Sequence, residues 1–175
     1  MITPDIDNQV CFLANCSGRD GGLRWLDGNR NNGTVKLTSG LPSPDANFSG
    51  TLWKFEPVDG ENTFNIRCLA DTSNSQHVYL EASSNDSVSL DDEGSNTNKN
   101  AKWIIEQASD AETLYYPQYP WDGEGELFTF FIRNSNSVLT ENLLYGNADS
   151  GVVELKSNAE YTGVHWLVLV PISLT

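Results

Sequence analysis

Three short stretches led by tryptophan recur along the chain at intervals of 50 and 63 residues: Trp53-Lys54-Phe55, Trp103-Ile104-Ile105 and Trp166-Leu167-Val168. The chain has five tryptophans, and three of them occupy this one position. Each stretch is largely apolar and lies between clusters of Gly, Asn, Asp and Ser, which is the pattern of a short strand. The recurrence indicates three diverged copies of one unit, because a single copy cannot bury its apolar face alone.

Three further strands precede each tryptophan in a constant order. The first strand alternates, and side chains two residues apart share a face, so it predicts inward positions at Val10, Phe12, Phe64, Ile66, Phe130 and Ile132. The second strand is predicted at residues 24–27, 78–81 and 137–140, around the core leucines Leu26, Leu80 and Leu139. The third carries V-x-L, as Val35-Lys36-Leu37, Val88-Ser89-Leu90 and Val153-Glu154-Leu155. Residues 101–114 also fit an amphipathic helix, but their place in the repeat predicts a strand.

Three copies of four strands resemble the β-trefoil, an all-β fold in which six strands form a barrel and three hairpins cap one end. The tryptophan-led strand is similar to the last strand of the repeats in ricin B-like lectins, whose signature is Q-x-W. Here Thr51, Ala101 and Val164 stand two positions before the tryptophans, so the glutamine is not kept. The resemblance implies one domain over residues 1–175, with repeats at about 1–60, 61–110 and 111–175. It also implies a non-catalytic carbohydrate-binding protein, with one shallow site per repeat for glycans or glycoproteins.

Composition and charge limit the partners of the chain. Its 175 residues are 38% hydrophobic and 19% charged, which is typical of a folded domain. The formal net charge is −14, and such a field repels phosphate backbones and anionic surfaces. No apolar run approaches the roughly 18 residues that a membrane helix needs. We therefore expect no nucleic-acid partner and no membrane insertion.

The N-terminus and the cysteines bear on the compartment. The first seven residues lack the basic and apolar regions of a secretory signal, which favours a cytoplasmic protein or one exported by a non-classical route, unless a leader has been trimmed. The three cysteines are an odd number, which predicts reduced thiols. Cys11 and Cys68 lie in apolar stretches and are expected in the core; a Cys16–Cys68 bridge is the alternative.

Catalytic and metal-binding patterns are absent from the sequence. The two histidines, His77 and His165, have no ligand at short metal-site spacing. There is no phosphate-binding glycine loop and no nucleophile elbow. The 24 acidic residues form many carboxylate pairs, which are expected from composition alone. We therefore predict no enzyme activity, no metal and no cofactor.

The turns after the second-strand leucines hold the candidate sugar-binding residues. Carboxylates and carboxamides suit sugar hydroxyls because they accept and donate in fixed planar directions, and an aromatic face stacks on the C–H face of a sugar ring. Glu141 is predicted to be the third-repeat equivalent of Asp27 and Glu81. The predicted set is Trp25, Asp27, Asn29, Tyr79, Glu81, Asn85, Asp86, Glu141, Asn142, Tyr145 and Asn147, together with Trp121 from the loop described next. The alternative is that these are ordinary hairpin turns, which favour Asn, Asp and Gly for backbone reasons.

Residues 114–124 form an insertion with four aromatics and two prolines that belongs to no repeat. Rigid aromatics in a loop contact ligands at low entropic cost, so Trp121 is a candidate contact; a strap over the barrel and a homodimer surface are alternatives. Asp122, Glu124 and Glu126 lack the fuller ligand set of a calcium loop. Exposed loops at residues 39–49 and 115–125 also fit a β-trefoil protease inhibitor, and a glycan-binding component of a toxin complex is a third possibility.

Overall fold

The computed structural model describes residues 6–17, 22–39, 50–70, 77–92, 98–108 and 129–169. Those residues form twelve strands and two short 3₁₀ helices, at Lys99–Ala101 and Thr162–Val164. None of the helices in these ranges is long and apolar enough to cross a membrane. The strands are β1 Val10–Asn15, β2 Arg24–Asn29, β3 Thr34–Thr38, β4 Leu52–Pro57, β5 Phe64–Cys68, β6 Tyr79–Ala82, β7 Val88–Asp91, β8 Lys102–Gln107, β9 Thr129–Asn134, β10 Leu143–Gly146, β11 Val153–Lys156 and β12 His165–Leu169.

Six of the strands close into an antiparallel barrel. The pairings run β1–β4–β5–β8–β9–β12 and return from β12 to β1. The other six form the hairpins β2–β3, β6–β7 and β10–β11, and each hairpin is joined to the barrel strand that precedes it. This arrangement is a β-trefoil, as the repeat predicts. Lys102–Gln107 is a strand, which excludes the helical interpretation for that part of residues 101–114.

The three repeat tryptophans lie in the core, as predicted. Trp53, Trp103 and Trp166 are completely buried. A buried indole N–H needs an acceptor, and each ring finds it in its own hairpin. The Nε1 atoms donate to the carbonyl oxygens of Leu26 at 3.0 Å, Leu80 at 2.8 Å and Leu144 at 2.9 Å. The tryptophan therefore ties the barrel to the cap in every repeat.

The second strand of the third repeat is not where the sequence predicts it. Residues 137–140 form a turn region, and Val138 is 85% exposed. The strand is β10, and Leu144 holds the position of Leu26 and Leu80. The Asn136 side chain explains the error, because its Oδ1 accepts from the Val138 backbone N–H at 3.1 Å and so forms an Asx turn.

The inward positions of β1 differ by one residue from the prediction. Cys11 pairs with Trp53 as Phe64 pairs with Trp103, so Cys11 and Leu13 face the barrel interior. Val10 is 36% exposed, and Phe12 packs in a second apolar cluster instead. The strand is apolar on both faces, and alternation cannot assign a face in that case.

The predicted burial of Cys11 and Cys68 is confirmed. Cys68 is a thiol whose Sγ lies 3.7 Å from the carbonyl oxygens of Gly28 and Gly50, so the alternative Cys16–Cys68 bridge is not formed. Burial raises the pKa of Cys68 to about 11, and a protonated thiol is a poor nucleophile.

The three hairpins bond to one another in a closed triangle. The N–H groups of Leu37, Leu90 and Leu155 each donate over 2.8 Å to a turn carbonyl of a neighbouring hairpin. All three acceptors have positive φ: 73° at Gly33, 62° at Asp86 and 75° at Gly151. Glycine adopts this conformation freely and Asp tolerates it, so the cap favours these residue types at the three turns.

Buried side chains at the end of each first strand bond to the segment before a repeat tryptophan. Asn15 is fully buried, and its Nδ2 donates to the Gly163 carbonyl at 2.8 Å. Asn134 donates in the same way to the Asn100 carbonyl at 2.6 Å. Cys68 holds the third equivalent position with a weaker S–H donor. These bonds hold one repeat to the segment that ends another.

Replacing Asn15 with alanine is expected to lower the free energy of unfolding by about 2 kcal/mol, because it leaves the buried Gly163 carbonyl without its donor. Urea unfolding followed by circular dichroism measures this change. Asn31→Ala, at an exposed turn position, is the control and is expected to change stability by less than about 0.5 kcal/mol. Equal effects of the two substitutions would contradict the assigned role of Asn15.

Candidate functional site

The corrected strand register makes Asp27, Glu81 and Tyr145 equivalent, since each follows the hairpin leucine that accepts from a tryptophan. Each of the three lies against the residue three positions before its tryptophan. A Cβ built on Gly50 would overlap Asp27 Oδ1, and one built on Gly163 would lie 2.5 Å from Tyr145 Cε2. We name these surfaces the Asp27 site, the Glu81 site and the Tyr145 site. The predicted equivalence of Glu141 with Asp27 and Glu81 is wrong, because β10 starts further along the chain.

The Asp27 carboxylate is paired within its own hairpin. Asp27 is 26% exposed at its side chain, and its Oδ2 lies 4.0 Å from Lys36 Nζ on the partner strand. Burial raises the pKa of Asp27, and Lys36 opposes that shift. Asn29 is exposed, and its Oδ1 accepts from the Asn31 N–H at 3.0 Å, which is a turn-forming contact.

Trp25 cannot offer a stacking face next to Asp27. Its ring is 2% exposed and packs edge-on against Phe12, with 6.0 Å between the centroids. The two rings belong to a second apolar cluster with Leu23, Leu52 and Leu167. The expected aromatic platform at this position is therefore wrong.

The Glu81 site is a network of carboxyl and amide groups. Glu81 Oε1 accepts from Asn98 Nδ2 at 3.1 Å and from Asn100 Nδ2 at 3.4 Å. Asn136 in turn donates to Asn100 Oδ1 at 2.7 Å. Burial first, and then a hydrogen bond with Asp91, raise the pKa of Glu81; the same hydrogen bond lowers the pKa of Asp91.

Tyr79, Asn85 and Asp86 lie around the same hairpin. The Tyr79 hydroxyl donates to Glu56 Oε2 at 3.1 Å, and burial raises its pKa. Asn85 Oδ1 accepts from the hydroxyls of Ser83 and Ser87 within the turn. The Asp86 carbonyl accepts from the Leu155 N–H in the cap triangle. Asn85 thus stabilises the turn through its side chain and Asp86 joins the cap through its backbone carbonyl, which are roles expected of ordinary turn residues.

The Tyr145 site combines two aromatic rings with an ion pair. Tyr145 meets Tyr161 edge-on with 5.9 Å between the ring centroids, and Tyr161 is 50% exposed. Lys156 Nζ lies 5.8 Å from the Tyr145 centroid and 3.1 Å from Glu154 Oε1. The hydrogen bond with Glu154 raises the pKa of Lys156, and Glu141 adds to that shift through its charge.

Two further predicted residues of the third repeat have partners of their own. Asn142 Oδ1 accepts from Arg133 Nη1 at 2.8 Å. Asn147 Oδ1 accepts from the backbone N–H groups of Asp149 at 3.0 Å and Ser150 at 3.1 Å and forms the β10–β11 turn. Trp121 and the loop at residues 115–125 lie outside the described residues, as does nearly all of residues 39–49.

Sequence reasoning missed Tyr161, Lys156 and Glu154 as neighbours of Tyr145. It also missed that His77 lies near Asp91 and Asp92, whose potential ligand atoms are all within 4.8 Å of one another. The signal that could have found His77 beside Asp91 and Asp92 is the register of the hairpin, because Tyr79 pairs with Asp91. Counting outward from that pair places residue 77 beside the end of β7.

The structure is similar to several solved β-trefoils. The BEL β-trefoil aligns with a TM-score of 0.63 and 15% identity, over 96% of this chain and 98% of that one. SeviL bound to the asialo-GM1 saccharide aligns with a TM-score of 0.58 and 15% identity, over 94% and 99%. The Polyporus squamosus lectin bound to the Neu5Acα2-6Galβ1-4GlcNAc epitope aligns with a TM-score of 0.59 and 17% identity, over 93% and 49%, so this chain spans about half of it. The sequence itself matches no protein-family model and no curated protein.

Proposed function

We propose that this protein is a non-catalytic carbohydrate-binding protein and that the Tyr145 site is its main glycan contact. The observation that carries the proposal is a half-exposed Tyr161 ring held edge-on by Tyr145 beside the Lys156–Glu154 ion pair. The protein shares its fold with SeviL and the Polyporus squamosus lectin, each solved with a bound saccharide. That likeness supports the proposal through the architecture alone.

The chemistry of the site suits a sugar. The Tyr161 ring offers an apolar face for the C–H side of a pyranose, and tyrosine loses little conformational entropy on binding. Glu154 accepts and Lys156 donates hydrogen bonds, so together they match a hydroxyl that does both. Lys156 also supplies a positive charge in a chain whose net charge is −14. These polar groups would fix the orientation of the sugar ring, which stacking on the aromatic ring alone would leave free.

The other two sites are expected to contribute less. The carboxyl and amide groups of the Glu81 site are hydrogen-bonded to one another, so a sugar must displace these internal hydrogen bonds. Among the described residues, the Asp27 site has no exposed aromatic face, because Trp25 is buried. Avidity from three equal sites is therefore not expected, although a weak second site would still strengthen binding to a multivalent surface.

A glycan array followed by calorimetric titration of the best glycan tests the proposal. Tyr161→Ala is expected to weaken the parent affinity at least tenfold, which is about 1.4 kcal/mol, because it removes the exposed stacking ring. Glu81→Gln and Asp27→Asn, one in each of the other sites, are expected to change the affinity by less than about threefold, which is under 1 kcal/mol. Val138→Ala, an exposed change in the third repeat, is the matched control.

The possible outcomes separate the function from the site. Binding to no glycan class would overturn the proposed function. Glycan binding that survives Tyr161→Ala and is lost with Glu81→Gln would keep the function and refute the Tyr145 site. Each variant is checked by its urea midpoint, so that loss of binding is not confused with loss of fold.

A further inference from the structure

We propose that His77, Asp91 and Asp92 form a binding site for a divalent cation of the Zn²⁺ class. One donor atom from each residue, the imidazole nitrogen and two carboxylate oxygens, lies within 4.8 Å of the others. His77 Nδ1 is 3.5 Å from Asp92 Oδ1. The three residues belong to the second repeat and lie outside the Tyr145 site, so this inference does not rest on glycan binding at that site.

The sheet, and not a loop alone, brings these residues together. Tyr79 and Asp91 are paired across the β6–β7 hairpin, and the Val78 N–H donates to the Asp91 carbonyl at 2.9 Å. His77 therefore lies just before the start of one strand, beside Asp92 just after the end of the other. Within this pair of strand ends, the Asp92 N–H donates to Asp91 Oδ1 at 2.6 Å. The backbone positions of the three residues, and one carboxylate oxygen of Asp91, are thus fixed before any cation binds.

The His77 nitrogen that faces the carboxylates lacks a hydrogen-bond partner. The Nδ1 atom itself is inaccessible to solvent, although the His77 side chain as a whole is 35% exposed, and no residue in the described ranges forms a hydrogen bond with it. Its contact with Asp92 Oδ1 at 3.5 Å is an ion pair only when the ring is protonated. Leaving a buried polar atom without a partner is costly. The ring is held by the neighbouring hairpin, since a Cβ built on Gly33 would lie 3.3 Å from His77 Cγ. A cation between His77 and the two carboxylates would satisfy Nδ1 and neutralise their charge.

The mixture of donors selects the kind of cation. Calcium and magnesium prefer sites made only of oxygen, whereas an imidazole with carboxylates suits Zn²⁺ and related ions. Tetrahedral Zn²⁺ with bonds of about 2.1 Å places its ligand atoms about 3.4 Å apart, which small side-chain rotations would achieve from the present spacing. Glu81 hydrogen-bonds to Asp91 and would orient that carboxylate from outside the donor set.

Calorimetric titration of the full chain, freed of metal with a chelator, tests the site with ZnCl₂ and CaCl₂ as probes. The parent is expected to bind one equivalent of Zn²⁺ with a micromolar dissociation constant and to melt at a higher temperature with Zn²⁺ than without it. His77→Gln is expected to weaken this binding at least tenfold and to remove the thermal shift. Asp92→Asn is expected to weaken it by a similar factor. CaCl₂ is expected to bind more weakly than ZnCl₂ and without dependence on His77.

His165→Gln is the matched control, because it changes the other histidine, on β12 next to Phe131. It is expected to keep Zn²⁺ binding within twofold of the parent. Three outcomes would overturn the proposal: no saturable Zn²⁺ binding below millimolar concentration, equal binding by His77→Gln, or loss of binding with His165→Gln alone. Urea unfolding of each metal-free variant shows that the fold is kept, and a second variant, Asp91→Asn, tests the site if His77→Gln does not fold.

Discussion

Trp103→Ala is expected to lower the free energy of unfolding by about 4 kcal/mol, because it opens a large core cavity. Trp103 is completely buried, packs in the main core cluster and donates its Nε1 proton to the Leu80 carbonyl at 2.8 Å. The substitution removes the packing and also leaves that carbonyl without its donor. Urea unfolding monitored by far-ultraviolet circular dichroism measures the loss. A change of this size is a large fraction of the stability of a typical domain.

Trp103→Phe separates the two contributions. Phenylalanine keeps part of the ring volume but cannot donate a hydrogen bond, so an intermediate loss of about 2 kcal/mol is expected. Val138→Ala, at an 85% exposed position, is expected to stay within about 0.5 kcal/mol of the parent. A loss below about 1 kcal/mol for Trp103→Ala would contradict the conclusion that the tryptophan joins the barrel to its hairpin.

The sequence was sufficient to predict the fold because the repeat places large apolar residues at equivalent core positions. The predicted tryptophan strands and V-x-L strands are all present, and the tryptophans and leucines of those motifs are buried. These positions are constrained by packing, which each repeat must satisfy in the same way. Their pattern therefore survives divergence of the surface.

The errors arose where local pattern and long-range pairing disagree. Residues 137–140 contain two β-branched residues and a leucine, yet Val138 is exposed and β10 begins at Leu143. An Asn136 side chain that caps the turn outweighs the strand propensity of Val138. In β1, Phe12 is as apolar as its neighbours, yet it packs in the second cluster. The pairing of Cys11 with Trp53, and not the apolar pattern, decides which residues of β1 face the barrel interior.

The candidate site was less predictable than the fold because its members come from separate parts of the chain. Trp25 looked available for stacking, but the second apolar cluster buries it. Tyr161 meets Tyr145 only because the segment before Trp166 folds over β10, which no local pattern reveals. The neighbours of His77 depend likewise on the register of one hairpin.

The pseudo-threefold symmetry holds for the core but not for the surface. The equivalent positions Asp27, Glu81 and Tyr145 carry a carboxylate paired with lysine, a carboxyl in an amide network and an aromatic ring, respectively. A residue at this position contacts the segment before the tryptophan without entering the barrel. Its chemistry can therefore change while the core hydrogen bond of the adjacent leucine is preserved. The unequal chemistry of the three surfaces is a consequence of this separation between core and surface.

Gly163→Ala is expected to lower the free energy of unfolding by about 3 kcal/mol, because the added methyl group has no room. It would overlap the Gly146 carbonyl oxygen and lie 2.5 Å from Tyr145 Cε2. The residue cannot shift freely, since its carbonyl accepts from the buried Asn15 side chain at 2.8 Å. Relief must come from movement of β10 or of the Tyr145 ring, and urea unfolding measures the cost.

The control is Gly22→Ala, whose methyl group would meet, among the described residues, the flexible end of the Arg24 side chain at 3.2 Å from Nη1. It is expected to change stability by less than about 1 kcal/mol.

Because Tyr145 bounds the space at Gly163, Gly163→Ala is also expected to weaken glycan binding at temperatures where the variant remains folded, whereas Gly22→Ala is not. Equal stability losses for the two alanine variants would mean that the segment before Trp166 packs less closely on β10 than the geometry indicates. Reduced stability with unchanged glycan affinity would instead separate this packing from the Tyr145 site and count against Tyr145 as a ligand contact.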